Sequence, residues 1–167
     1  MLSAWSLRRV LLAGSTGDMM RAMTSLLCSV GAKPLHASTP FSAESLSRAL
    51  QQRCCCLIVP DLSALHACDP QARLNALNTL LFEVREAGVP LVMLLSRMNT
   101  AADNEIIPLF SHALGFGQGA CGDPVSVQCI RYDGGDMQRI CRDALALGAQ
   151  FLAGETGCTG IFTLGKR

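Results

Sequence analysis

The chain is 167 residues long, half of them apolar and 16% charged, with a net charge of +1. Such a composition excludes a disordered chain, and its near-neutral balance gives no global pull toward nucleic acid or an acidic surface. One Trp, one Tyr and six Phe leave too few rings for a base-stacking platform.

In chain order, residues 9–13 (RVLLA) read as a strand and 18–30 as a helix. Met19, Met23, Leu26, Leu27 and Val30 recur at helical spacing, and Gly31 ends the run. A short second strand covers 34–37, and Ser42 caps a helix running to about Gln52. Residues 54–59 form a continuous apolar strand that Pro60-Asp61 breaks. Asp69-Pro70 opens the next helix with a capping side chain and a proline in the first turn. Leu74, Leu77, Leu81 and Val84 share one face of it, and Gly88 closes it. A fourth strand covers 91–95, and a helix is expected over 101–114, kinked or delayed by Pro108. A fifth strand at 125–131 places Val125, Val127, Cys129 and Arg131 on one face and Ser126, Gln128 and Ile130 on the other. A helix over 136–152, with Met137, Ile140, Cys141, Ala144 and Gly148 on one side, leads to a last strand at 160–164.

This alternation predicts one α/β domain over 1–167: a Rossmann-like, doubly wound parallel sheet of about six strands with helices on both faces. A flavodoxin-like or receiver-like domain is a competing doubly wound reading. Against a receiver, the first strand lacks the paired acids that would hold a metal.

No apolar run is long enough for a membrane span; "VPLVMLL" at 89–95 suits a buried strand. Only 10–13 separate Arg8-Arg9 from Gly14, too little for a signal peptide's apolar region, so a cytoplasmic protein is expected. The nine cysteines form no Cys-x-x-Cys pair, and Cys54, Cys55 and Cys56 would alternate in direction along a strand. They read as small packing residues of a reducing compartment. His36, His66 and His112 are scattered, and His66 with Cys68 lacks further ligands, so no metal is expected.

The stretch "VLLAGSTGDMMRAM" at 10–23 is a strand, a glycine turn and a helix start. Such turns let the backbone approach a pyrophosphate, which sits on the helix N-terminus. Gly14, Ser15 and Gly17 are therefore the candidate cofactor-binding residues. Met20 stands where a third glycine would allow close helix–strand packing, so the helix must move out or the methionine must fill a gap. Asp18 puts a carboxylate where the diphosphate would lie, an unfavourable interaction of order 1 kcal/mol or more. The second strand's end, Leu35-His36-Ala37-Ser38-Thr39, has neither an acid for a ribose hydroxyl nor an arginine for a 2′-phosphate. A tight turn without a ligand is the favoured reading. Gly117-Gln-Gly-Ala-Cys-Gly122 also matches G-x-G-x-x-G, but it precedes a strand and opens no helix, so it reads as a loop.

Together these pieces resemble the short-chain dehydrogenase/reductase family over nearly the whole chain. "LLAGSTGDMMRAM" looks like its glycine turn, and "REAGVPLVMLLS" at 85–96 like the helix end and strand leading to its catalytic serine. "PVSVQCIRYDG" at 124–134 looks like its sixth strand and turn. "AQFLAGETGCTGIFTLG" at 149–165, the most specific piece, is similar to its C-terminal helix end, threonine-glycine turn and last strand.

The resemblance implies a Rossmann fold, an NAD(P) site at Gly14, Ser15 and Gly17, and a serine at Ser96. It also implies a tyrosine general acid and a lysine four residues later, and the chain departs there. Thr100 and Asn104 occupy those places, and no Tyr-x-x-x-Lys exists anywhere. Pro60-Asp61-Leu62-Ser63 replaces the family's Asn-Asn-Ala-Gly turn. Ser96 alone has no tuned partner and reads as a polar strand end. The expectation is a dehydrogenase-like domain without catalysis or cofactor, acting in binding or assembly as a homo-oligomer or beside a related subunit, with neither nucleic acid nor membrane as partner. The competing expectation is an NAD(P)-dependent oxidoreductase with an atypical site.

Overall fold

The computed structural model describes residues 2–14, 16–38, 42–62, 69–98, 108, 125–154 and 160–164. Six strands, β1 (Arg9–Ala13), β2 (Lys33–Ala37), β3 (Cys56–Val59), β4 (Leu91–Arg97), β5 (Ser126–Tyr132) and β6 (Gly160–Leu164), form one sheet. Its order is β2-β1-β3-β4-β5-β6, and every pair is parallel. The described helices are α1 (Asp18–Ser29), α2 (Ala43–Ala49), α3 (Pro70–Ala87) and α4 (Met137–Leu152), with a short 3-10 helix at Leu2–Trp5. The expected doubly wound parallel sheet is the observed one. The first five strands follow an order that flavodoxin-like domains also use, so strand order alone does not separate the two readings. Apart from Pro108, which is helical, the helix expected over 101–114 lies outside the described residues, as does the glycine run at 117–122. Among the described residues, no helix is long and apolar enough to cross a membrane.

Parallel strands buried on both faces require two apolar layers. One layer joins Leu11, Leu57, Val92 and Leu94 of the sheet to Leu46 of α2 and Leu77, Leu80 and Val84 of α3. The other joins Val10, Leu12, Ile58 and Met93 to Met19, Met23 and Leu27 of α1 and Ile140, Cys141 and Ala144 of α4. Each layer takes alternate residues of β1, β3, β4 and β5, as the pleat demands. Both faces of β5 are therefore buried, Val127 and Cys129 on one side and Gln128 and Ile130 on the other.

The helix ends follow local chemistry. Asp69 caps α3 by accepting the Ala72 N–H at 2.8 Å, and Gly88 closes it in the left-handed region at φ 72°. Ser42 caps α2, which is shorter than expected and ends at Ala49. β3 starts at Cys56, so Cys54 and Cys55 stand just before the strand, and Cys56 is buried. Pro34 lies on β2, an edge strand, where a missing N–H breaks no second ladder. Trp5 is fully buried on α4, its indole N–H donating to the Leu145 carbonyl at 2.8 Å. That anchor was not expected from the sequence, because a single aromatic in a four-residue helix has no periodicity to reveal it.

Candidate functional site

The strand order reverses between β1 and β3, and in open α/β sheets ligands sit in the crevice beyond the strand ends at such a point. A cavity of about 70 Å³ lies there, lined by Gly14, Gly17, Asp18, Met19, Met20, Pro60 and Asp61. Gly14 and Gly17, two of the three candidate cofactor residues, are thus brought to one cleft; Ser15 lies outside the described residues.

Gly14 leaves β1 at φ 145°, a conformation that L side chains resist, and its N–H bonds to the Ala37 carbonyl at 2.8 Å. Gly17 is the N-cap of α1 and offers no side chain to the first-turn amides. Asp18, exposed in that first turn, complements the helix dipole and pairs with Arg21 one turn on. Met20 is buried, and its Cε methyl lies 3.7 Å from where a Cβ on Gly14 would stand. That is an ordinary contact distance, so the methionine lines the cleft beside the turn without closing it. Met19 is buried beside it and receives the Cys141 thiol on its sulfur at 3.3 Å, which ties α1 to α4 under the cleft.

At the end of β2 stands His36, whose Nε2 lies 3.1 Å from the Thr24 hydroxyl. That hydroxyl also donates to the Met20 carbonyl at 2.7 Å. The place of a ribose reader is thus linked to α1 by a side-chain contact.

Ser96 is buried near the end of β4. By strand alternation it shares the side of Val92 and Leu94, in the α2/α3 layer, whereas Met19 and Met20 belong to the α1/α4 layer. Thr100 and Asn104 lie outside the described residues, as do His66, Cys68 and His112. Among the described residues, no group of three or more His, Cys, Asp or Glu could hold a metal.

Sequence reasoning missed Tyr132. The chain's single tyrosine ends β5, and Arg97 is its register partner on β4. Burial pushes its hydroxyl above the usual range, the Asp61 carboxylate raises it further, and the Arg97 guanidinium partly offsets both. Asp61 also lines the cleft, so Tyr132, Asp61 and Arg97 occupy the C-terminal ends of three neighbouring strands. A Cβ on Gly134 would lie 3.1 Å from Nη2 of Arg97, so the guanidinium rests over the turn into α4. The available signal was positional: Tyr132 precedes Asp133-Gly134-Gly135, a second strand–glycine–helix junction. A hydroxyl that keeps its proton donates hydrogen bonds well but is a poor proton-transfer group near neutral pH.

No family model and no curated protein matches the chain. Solved structures do match, and they are short-chain dehydrogenases/reductases and NAD-dependent epimerases. BdcA from E. coli is similar at 12% identity over 96% of this chain and 100% of its own, with a TM-score of 0.62. A short-chain dehydrogenase/reductase from Serratia marcescens matches at 14% identity over 96% and 97%, with a TM-score of 0.66. UDP-glucose 4-epimerase from Brucella ovis, in complex with NAD, matches at 12% identity over 95% and 77%, with a TM-score of 0.71. The fold is therefore short-chain dehydrogenase/reductase-like, and this likeness extends to the fold alone.

Proposed function

We propose that this chain is a dehydrogenase-like domain that has left hydride transfer and works as a binding or assembly protein. One observation carries the reading: Asp18 puts a carboxylate at the start of α1, where a cofactor's diphosphate would lie, and the buried Met20 lines the same cavity of about 70 Å³. The residues present therefore do not fit a dinucleotide's diphosphate. Loss of the tyrosine–lysine pair and a serine on the other layer agree with it.

Self-association through α3 belongs to this reading. Phe82 projects from α3 at 59% exposure, an apolar group that pairing would cover. Cytoplasmic placement belongs to the same reading and is supported by nine cysteines without a Cys-x-x-Cys pair, which suit a reducing compartment. Light scattering at tens of micromolar tests the assembly: an oligomer that Phe82→Ser dissociates supports it, and a clean monomer contradicts it.

A second reading rests on Tyr132. A tyrosine at the strand ends, within electrostatic reach of Asp61 and Arg97, would serve an NAD(P)-dependent reductase of atypical design, and some similar folds were solved with NAD. The restored variant Thr100→Tyr with Asn104→Lys separates the readings. The first expects no NADPH oxidation with simple ketones, since positioning a donor near the substrate carries much of the barrier reduction. Activity above the unmutated protein would favour the second.

A further inference from the structure

The net charge of +1 conceals a segregated surface at the opposite edge of the sheet from the crevice. Arg8 and Arg9 begin β1, Lys33 begins β2, and Arg53 precedes β3. The order β2-β1-β3 sets Arg8-Arg9 beside Lys33, and Arg53 lies three residues ahead of β3 on the other side of β1. Arg9 and Lys33 are register partners, the Lys33 N–H bonds to the Arg8 carbonyl at 2.8 Å, and the Cys55 N–H bonds to the Arg9 carbonyl at 2.9 Å. Adjacent strands lie about 4.8 Å apart, so the cations gather within a patch of roughly 10–15 Å.

All four side chains are exposed, and among the described residues none of them is in an ion pair. The titratable groups beside them are the thiols of Cys54, near Arg9, and Cys55, near Arg8. Burial raises both thiols, so they stay neutral and leave the patch uncompensated. Glu83 and Glu86 line a separate groove between α2 and α3, and none of the four cations lines that groove.

An apolar tip stands among these charges. Leu7 is 77% exposed and has a left-handed backbone at φ 65°, the one positive φ of a non-glycine residue among those described. Its N–H bonds to the Gly31 carbonyl at 2.8 Å, just before β2. Two residues earlier, Trp5 fixes the segment in the core. The leucine is thus held outward by a backbone that is itself anchored, which argues against a side chain merely left over from folding.

Against the sequence expectation of no membrane partner, we propose that this end of the sheet docks on an anionic phospholipid surface, with Arg8, Arg9, Lys33 and Arg53 on the headgroups and Leu7 at the acyl boundary. Both halves of that surface are needed to explain both features. Nucleic acid would answer the cations but has no apolar layer for Leu7, and the patch carries no ring for base stacking. Each cation near such a surface is worth about fivefold in partitioning. One leucine, buried in part, adds about tenfold. The attachment is therefore reversible and sensitive to salt. It does not depend on whether the crevice holds a cofactor.

Co-sedimentation of the full chain tests it, with phosphatidylcholine vesicles alone or containing about one-third phosphatidylserine. Binding should appear with phosphatidylserine, fall with salt, and be nearly absent with phosphatidylcholine alone. Arg9→Glu with Lys33→Glu should weaken it at least about 25-fold. Leu7→Ser should weaken it about tenfold without changing its salt dependence. Buried Trp5 fluorescence verifies that each variant is folded. No binding to phosphatidylserine vesicles, equal binding by the variants, or binding to duplex DNA as strong as to vesicles and indifferent to Leu7→Ser would overturn the proposal.

Discussion

The Met20 methyl packs on Gly14, 3.7 Å from the position a Cβ would take there. A glycine at the end of the first strand usually leaves room for a ligand's approach; here a buried methionine from the following helix lines that room. Met20 also contributes to the α1/α4 layer. Met20→Ala should therefore cost about 2–4 kcal/mol in urea denaturation, within the range for losing a buried methionine. A loss below about 0.5 kcal/mol would mean that the methyl is not packed as described.

Gly148 on α4 is a second close approach. A Cβ there would lie 2.5 Å from Cζ2 of Trp5 and 2.9 Å from the Met93 sulfur. Gly148→Ala should displace the indole, lengthen its hydrogen bond to Leu145, and destabilise the fold by about 1–3 kcal/mol despite the better helix propensity of alanine. The lone tryptophan makes the check simple: its emission should shift to the red. Unchanged emission with raised stability would contradict the packing.

Alkali should weaken the fold before it ionises the folded thiols. Burial pushes Cys141 up to about 12 and Cys55 up to about 11, against 9.0 for an unperturbed thiol. The unfolded chain thus loses these protons first. Stability is fully present below pH 9 and falls as pH rises between 9 and 12. Tyr132, also raised by burial, adds to the loss above its ordinary value of 10.0. Cys141→Ala should flatten the slope in that window by up to about 1.4 kcal/mol per pH unit. Denaturation midpoints across the window would show it, and an equal slope in the variant would contradict it.

The parts of the fold legible in sequence were those with local chemistry or strict period. Asp69-Pro70 and Gly88 bracket α3, and the apolar runs at β3 and β4 mark strands buried on both faces. Less legible was whatever depends on distant residues meeting. Cys54 and Cys55 extend the apolar run before β3, but composition alone could not show where pairing begins. The role of Met20 was open between a displaced helix and a filled gap until the contact with Gly14 was seen. Tyr132 has no lysine four residues on, yet topology sets it at the strand ends within electrostatic reach of Asp61 and Arg97. Arg8, Arg9, Lys33 and Arg53 look unrelated along the chain and become one patch only through strand order.

The central claim is that Asp18 and Met20 make the glycine turn unfit for a dinucleotide, and calorimetry with NADH and NADPH tests it most directly. The unmutated protein should give no binding heat at low micromolar to physiological cofactor concentrations, because Asp18 opposes the diphosphate and Met20 takes part of the cleft's wall. A dissociation constant in the low micromolar range for either cofactor, abolished by a bulky substitution at Gly17, would contradict it.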